Sequence, residues 1–219
     1  MLFRSGGLLN DTLTGNALDN LLQGNAGNDT LIGQAGNDTL AGGTGDDSYV
    51  FAANVVLGTD TLVELPGEGV DLLDFGTTTV GVTVDLGTTA VQTVNANLSL
   101  GWSAGDVFEL LIGTAAADSL TGNALDNVIF GGAGNDTLTG GDGADRFVFS
   151  GAFGQDLITD FQSNDVIQLD ASAFANFAAV QSHAAQVGSD VVITLDASNT
   201  ITLQNVALGS LNAGDFLFA

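Results

Sequence analysis

Along residues 6–50 a large apolar residue recurs at every ninth position, at Leu13, Leu22, Leu31, Leu40 and Tyr49. The same spacing returns over residues 113–148 at Leu120, Ile129, Leu138 and Phe147. Counted from a glycine at position 1, each nonapeptide has Asp or Asn at position 6 and the apolar residue at position 8. Glycine is frequent at positions 2 and 4. The first run begins its repeats at Gly6, Gly15, Gly24, Gly33 and Gly42, and the second begins at Gly113, Gly122, Gly131 and Gly140. This period of nine predicts a six-residue turn followed by a three-residue strand whose middle side chain points inward. Two such turns on opposite sides close one coil of eighteen residues, so that repeat n stacks on repeat n+2. The fold class expected is all-β, a two-sheet parallel solenoid with a thin core of position-8 residues.

The two runs also resemble one another. The stretch from Asp11, DTLTGNALDNLLQGNAGNDTLI, aligns with DSLTGNALDNVIFGGAGNDTLT from Asp118, so the simplest account is a duplicated array. The expected organisation is a first array over 6–51, a degenerate insert over 52–112, a second array over 113–149 and a C-terminal cap over 150–219.

Charge changes the picture. Twenty-six acidic residues stand against two arginines and no lysine, a formal net charge of -24. That balance excludes nucleic acid and anionic membrane surfaces as partners, and it makes the compact state self-repelling unless cations are bound. With no cysteine there is no disulfide framework to hold the fold. No apolar run reaches the roughly 20 residues of a membrane span, so no integral membrane segment is expected.

The acids recur in register. Coil stacking sets Asp11 against Asp29 and Asp29 against Asp47 on one side, and Asn20 against Asp38 on the other. In the second array Asp118 faces Asp136, and Asn127 faces Asp145. The turn glycines Gly24, Gly27, Gly33, Gly36, Gly42 and Gly45, with Gly131, Gly134, Gly140 and Gly143, permit turns that aim carbonyl oxygens into the same space. Carboxylates and carbonyls together make an all-oxygen environment of the kind calcium prefers, and magnesium's tighter octahedron suits it less. Several Ca²⁺ ions are expected. Leu9, Leu18, Ala116 and Leu125 replace the position-4 glycine, so the first coil of each array should bind weakly or act as a cap.

The nonapeptide resembles the glycine- and aspartate-rich repeat of the RTX, or haemolysin-type calcium-binding, family. The resemblance implies a calcium-filled parallel β-roll and export through a type I secretion apparatus. It also gives a role to the C-terminal Asp215-Phe216-Leu217-Phe218-Ala219, which is similar to the family's uncleaved secretion signal. Met1 to Ser5 lack the basic and apolar regions of a cleavable signal peptide. Leu2-Phe3-Arg4-Ser5 resembles a translated sequencing adapter, so the chain is read as a fragment of a longer secreted protein.

Outside the arrays the pattern weakens. Pro66 to Leu73 reads as a degraded repeat with Asp71 and Leu73 at the ligand and core positions, and the alternation from Val80 to Leu86 reads as a strand. Asp60 and Glu64 are read as solvated surface acids sooner than as ligands. Gly151 to Ile158 is another degraded repeat, placing Asp156 at a ligand position. Phe174, Phe177 and Val180 predict a helix over 172–187 ending before Gly188, followed by strands over 191–195 and 200–204.

No catalytic residues or organic cofactor are assigned. Gly101-Trp102-Ser103-Ala104-Gly105 fits the nucleophile-elbow expression. It sits in a solenoid insert, however, and the chain's one histidine, His183, falls on the predicted cap helix. No H-E-x-x-H is present. A flat threonine ladder for ice binding is also missing, since turn position 3 reads Leu8, Ala17, Ala26, Ala35 and Thr44. A cell-surface or polysaccharide ligand, as for a module attached to a secreted hydrolase, is the alternative class, although Trp102 and Tyr49 are the only Trp and Tyr.

Overall fold

The computed structural model describes residues 1–219. Three-residue strands alternate between two faces, as the nonapeptide period requires. One face is a continuous nine-stranded parallel sheet: Thr12–Thr14, Thr30–Ile32, Ser48–Val50, Leu72–Asp74, Leu110–Ile112, Val128–Phe130, Arg146–Phe149, Val166–Leu169 and Phe216–Phe218. Its register sets Leu13 beside Leu31 and Leu31 beside Tyr49, the eighteen-residue coil read from sequence. The position-8 side chains are sealed between the faces, with Leu22, Leu31, Leu40, Tyr49, Ile129, Leu138 and Phe147 all fully buried. Each such side chain contributes roughly 1.5–3 kcal/mol by leaving water. The fold is therefore a parallel β-roll.

The opposite face is split. A six-stranded sheet carries Leu2–Ser5, Asn20–Ala26, Thr39–Thr44, Gly58–Val63, Leu98–Trp102 and Gln92–Asn95. A seven-stranded sheet begins at Thr83–Asp85 and continues through Ser119–Thr121, Thr137–Thr139, Gln155–Ile158 and Thr200–Leu203. The degraded repeat read in the insert continues the roll on the nine-stranded face, with Leu73 between Tyr49 and Leu111. On the split face the stacking order is exchanged. Thr83–Asp85 skips forward to pair with Ser119–Thr121, and the later strand Leu98–Trp102 returns to pair with Gly58–Val63. Residues 2–5, read as lying outside the repeat, form a parallel strand against Asn20–Gln23.

The C-terminal cap differs from expectation in its helix. Asn176 caps a helix confined to Phe177–His183, its side chain accepting the Ala179 N–H at 3.0 Å. Residues 172–174 form a turn bonded to Asp170 instead. Ala184–Val187 is a strand antiparallel to Asp190–Thr194, and Gly188, with φ +64°, serves the hairpin turn between them. The apolar spacing was real, since Phe174 and Val180 are buried. An internal N-cap residue and a sheet edge open to a partner decided the boundaries.

Candidate calcium sites

Position 6 of every repeat lies on a ladder along the roll. The backbone N–H of Asp11 donates to Asp29 Oδ1 at 2.7 Å, that of Asp29 to Asp47 Oδ1 at 2.7 Å, and that of Asp47 to Asp71 Oδ1 at 2.9 Å. On the other side Asn20 donates to Asp38 at 2.8 Å and Asp38 to Asp60 at 2.9 Å. In the second array Asp118 donates to Asp136 and Asp136 to Asp156, while Asn127 donates to Asp145 and Asp145 to Asp165. A second ladder at position 5 runs the opposite way, for example from the Asn28 N–H to Asn10 Oδ1 at 2.9 Å. The two ladders clamp each turn from both sides.

The structure divides these turns into two kinds. In five of them the second carboxylate oxygen, Oδ2 of Asp29, Asp38, Asp47, Asp136 and Asp145, is buried and has no hydrogen-bond partner. Their position-2 residues, Asn25, Gln34, Gly43, Gly132 and Gly141, all have positive φ. The position-4 residues Gly27, Gly36, Gly45, Gly134 and Gly143 do as well. In the other four turns, where Leu or Ala stands at position 4, the position-2 N–H donates to the position-6 side chain. Gly7 closes on Asp11, Asn16 on Asn20, Thr114 on Asp118 and Asn123 on Asn127, at 2.6–2.7 Å. None of these four side chains has a buried oxygen without a partner.

Asn20 and Asn127 close their turns further. The Asn20 amide donates to the Leu18 carbonyl, and the Asn127 amide to the Phe108 carbonyl at 3.0 Å. The side-chain oxygens expected as neutral ligands are thus already bonded, and an N–H donor stands where an aspartate would present a second acceptor. Asp118 has both carboxylate oxygens engaged too, accepting from the Val82 N–H, the Thr114 N–H and the Thr114 hydroxyl.

The open turns fit calcium. A buried carboxylate oxygen without a donor is costly, and in the Gly24 turn the Gly42 carbonyl oxygen comes to the same space. A Cβ on Gly24 would overlap both Asp29 Oδ2 and the Gly42 carbonyl. Gly33, Gly131 and Gly140 face the second carboxylate oxygen of Asp38, Asp136 and Asp145 in the same way, and Gly42 that of Asp47. Position-1 glycine is therefore needed for the space beside the carboxylate. Burial pushes Asp38, Asp47, Asp136 and Asp145 up to about 6 and Asp60, Asp71 and Asp156 up to about 7, against the backbone N–H bonds that lower them. Without a cation this interior holds its negative charge poorly.

The insert and cap supply ladder residues that the strict period hides. Asp60 and Glu64 are fully buried, not solvated. Asp60 Oδ2 and Glu64 Oε2 are unpartnered as well. Asp60, Asp71 and Asp165 follow their predecessors at spacings of 22, 24 and 20 residues in place of 18. Asp71 is the ligand position already read in the degraded repeat from Pro66, and Asp60 is the one whose place the lengthened coil disguised. Ser103, from the nucleophile-elbow match, accepts the Glu64 N–H and donates to the Glu64 carbonyl at 2.9 Å, so its hydroxyl ties two coils together. His183 packs edge-on to Phe174, with Nδ1 bonded to the Ala179 carbonyl.

The family model for the RTX calcium-binding nonapeptide repeat matches in four copies, over residues 5–33, 14–49, 112–147 and 121–158. The chain carries RTX repeats. Two proteins of Rhizobium meliloti (strain 1021) are similar to it. Endo-1,3-1,4-beta-glycanase ExsH is 34% identical over 118 residues, 50% of this chain and 25% of that protein. Endo-1,3-1,4-beta-glycanase EglC is 32% identical over 138 residues, 59% of this chain and 29% of that protein. The chain therefore spans less than a third of these relatives. Among solved structures, the extracellular lipase LipA from Serratia marcescens aligns over 98% of this chain and 39% of its own, at 20% identity and a TM-score of 0.32. The matched RTX segments contain all five open turns and all four closed ones.

Proposed function

We propose that this chain is a calcium-binding module that folds on extracellular calcium and supports type I secretion of a larger secreted protein, with no catalytic role of its own. The observation that carries the reading is the periodic set of buried, unpartnered carboxylate oxygens in a chain with only two arginines. Asp29, Asp38, Asp47, Asp136 and Asp145, with carbonyls such as that of Gly42, are the groups that would hold the ions. Bound calcium supplies the positive charge that lets these carboxylates stay ionised inside the roll. Metal binding and folding are then one free energy, because the unfolded chain has no assembled site. Low cytosolic calcium leaves the chain unfolded for passage through a narrow channel, and calcium outside folds it there. The C-terminal residues 215–219 are assigned the signal.

The two glycanase relatives favour a second reading of the passenger. In it, this module is the C-terminal part of a secreted polysaccharide-acting hydrolase and contributes surface or carbohydrate binding.

Far-ultraviolet circular dichroism in chelator and then in millimolar calcium tests the main reading. A disordered spectrum that becomes β-rich on adding calcium is expected. An equally β-rich spectrum at neutral pH in chelator would overturn it.

A further inference from the structure

At the end of the first array the repeat pattern is broken by a side chain. The register that sets Leu40 beside Leu62 and Ala41 beside Val63 puts Glu64 where the next coil's position-1 glycine would stand. Elsewhere that position offers a backbone carbonyl to the turn, as Gly42 does to Gly24. Here a carboxylate enters instead. A Cβ on Gly42 would overlap both Asp47 Oδ2 and Glu64 Oε1. One carboxylate oxygen from each of Asp47, Glu64 and Asp71 lies within 4.8 Å of the other two. All three residues are at most 2% exposed.

Two independent features point into this cluster. Asp47 Oδ2 and Glu64 Oε2 are buried with no partner. The Tyr49 hydroxyl accepts the Gly42 N–H at 2.6 Å and donates to Glu64 Oε1, which fixes the glutamate's orientation. Ser103 pins the same residue through its backbone on the other side. No arginine is on hand to neutralise the group. Arg4 and Arg146 lie on strands that pair with none of the strands flanking the cluster.

We propose that Glu64, oriented by Tyr49, and the ladder residue Asp71 join Asp47 of the last open turn in a three-carboxylate centre for a hard divalent or trivalent ion of calcium's size, a reading that rests on the open turns being calcium sites and adds to them a side-chain ligand from outside the repeat. An all-carboxylate donor set selects hard oxygen-seeking cations over zinc or copper. The second array provides an internal contrast. Its residue in register with Glu64 is Asp160, which spends its two oxygens on the N–H groups of Gly140 and Gly141, each at 2.9 Å. The residue that follows the last open turn thus differs between the arrays, since Glu64 keeps a carboxylate oxygen unpartnered and Asp160 is held by the backbone.

Terbium(III) is a suitable probe, because Tyr49 and Trp102 are the only tyrosine and tryptophan and Tyr49 touches the cluster. The metal is titrated into the full chain under conditions where circular dichroism shows it folded, and terbium emission is read under aromatic excitation. Expected are sensitised emission that excess calcium suppresses, an affinity of the emitting site at least about tenfold weaker in Glu64→Gln, and no change in Asp160→Asn. Absence of sensitised emission from the unsubstituted chain overturns the proposal whatever the variants do. Wild-type affinity in a folded Glu64→Gln does so too. If the chain proves to fold without calcium, the titration is run on that folded chain, so the two readings fail separately.

Discussion

Asp136 accepts the Asp118 N–H at 2.9 Å through Oδ1 and leaves Oδ2 buried without a partner. Asn127, at the same position of the preceding repeat, fills both of its side-chain roles, accepting the Asn123 N–H and donating to the Phe108 carbonyl. The contrast shows what separates the two kinds of turn. In a closed turn the position-2 N–H bonds the position-6 side chain, whether that is Asn127 or the carboxylates of Asp11 and Asp118, and in an open turn the second carboxylate oxygen has no donor.

Asp136→Asn should therefore trade one dependence for another. The variant removes a buried charge, so its residual β content in chelator is expected to exceed that of the unsubstituted chain. The stabilisation supplied by calcium should shrink, because one open turn has lost a ligand. Circular dichroism in chelator and thermal denaturation over a series of calcium concentrations measure the two effects.

The raised carboxyls predict an acid-stabilised form in chelator. Asp38, Asp47, Asp136 and Asp145 sit at about 6, and Asp60, Asp71 and Asp156 at about 7, all above the unfolded value. The folded chain then binds more protons than the unfolded one across this range. Stability is fully gained below about pH 4, where both states are protonated, and is lost as pH rises through 6 and 7. Circular dichroism of the chelated chain against pH should show β structure appearing on acidification. Calcium should remove that dependence near neutrality.

Coil stacking can be separated from backbone conformation by two alanine substitutions. Gly27 and Gly67 both have positive φ, but a Cβ at Gly27 would overlap the Leu9 backbone of the neighbouring coil, while Gly67 has open space. Gly67→Ala should cost about 1–2 kcal/mol from strain alone. Gly27→Ala should cost clearly more and should lower calcium affinity in the adjoining turns. Denaturant unfolding in saturating calcium compares them.

The terminal residues can be tested for two roles at once. Phe216–Phe218 pairs with Val166–Leu169 as the ninth strand of the long sheet, so deleting residues 215–219 uncovers a sheet edge. The truncated chain is expected to fold in calcium with reduced stability. A fusion lacking these residues should remain inside a host that carries a type I secretion system. Secretion of the truncated fusion at the level of the intact one would leave them a structural role only.

Much of this was legible in the sequence because one period governed turn, strand and core together. Leu31, Asp29 and Gly24 each sit where the ninefold count puts them, and the eighteen-residue coil follows from it. Asp71 was readable as the ligand position of a degraded repeat, whereas Asp60 was harder because a lengthened turn moves it off the count while leaving it in the ladder. Glu64 looked like a surface acid because its burial depends on strand Gly58–Val63 pairing with Thr39–Thr44, a contact that local composition does not encode. The cap helix was overextended for the same reason. Ala184–Val187 has a sheet edge to join that only the folded chain supplies.

The exchange of stacking order in the insert separates this chain from a simple pile of coils. In a pile, each unit needs only its neighbour, and assembly can advance like a zipper from either end. Here Thr83–Asp85 has no same-face ladder until Ser119–Thr121 arrives, while the edge of Gly58–Val63 waits for Leu98–Trp102 to come back. The side-chain amide of Gln92 spans the seam between the two sheets, bonding both backbone groups of Asp85 at 2.8 and 3.0 Å. The insert therefore works as a clasp between the arrays. A break opened by heat or force in one array should be felt in the other, and the roll should rupture as a single unit.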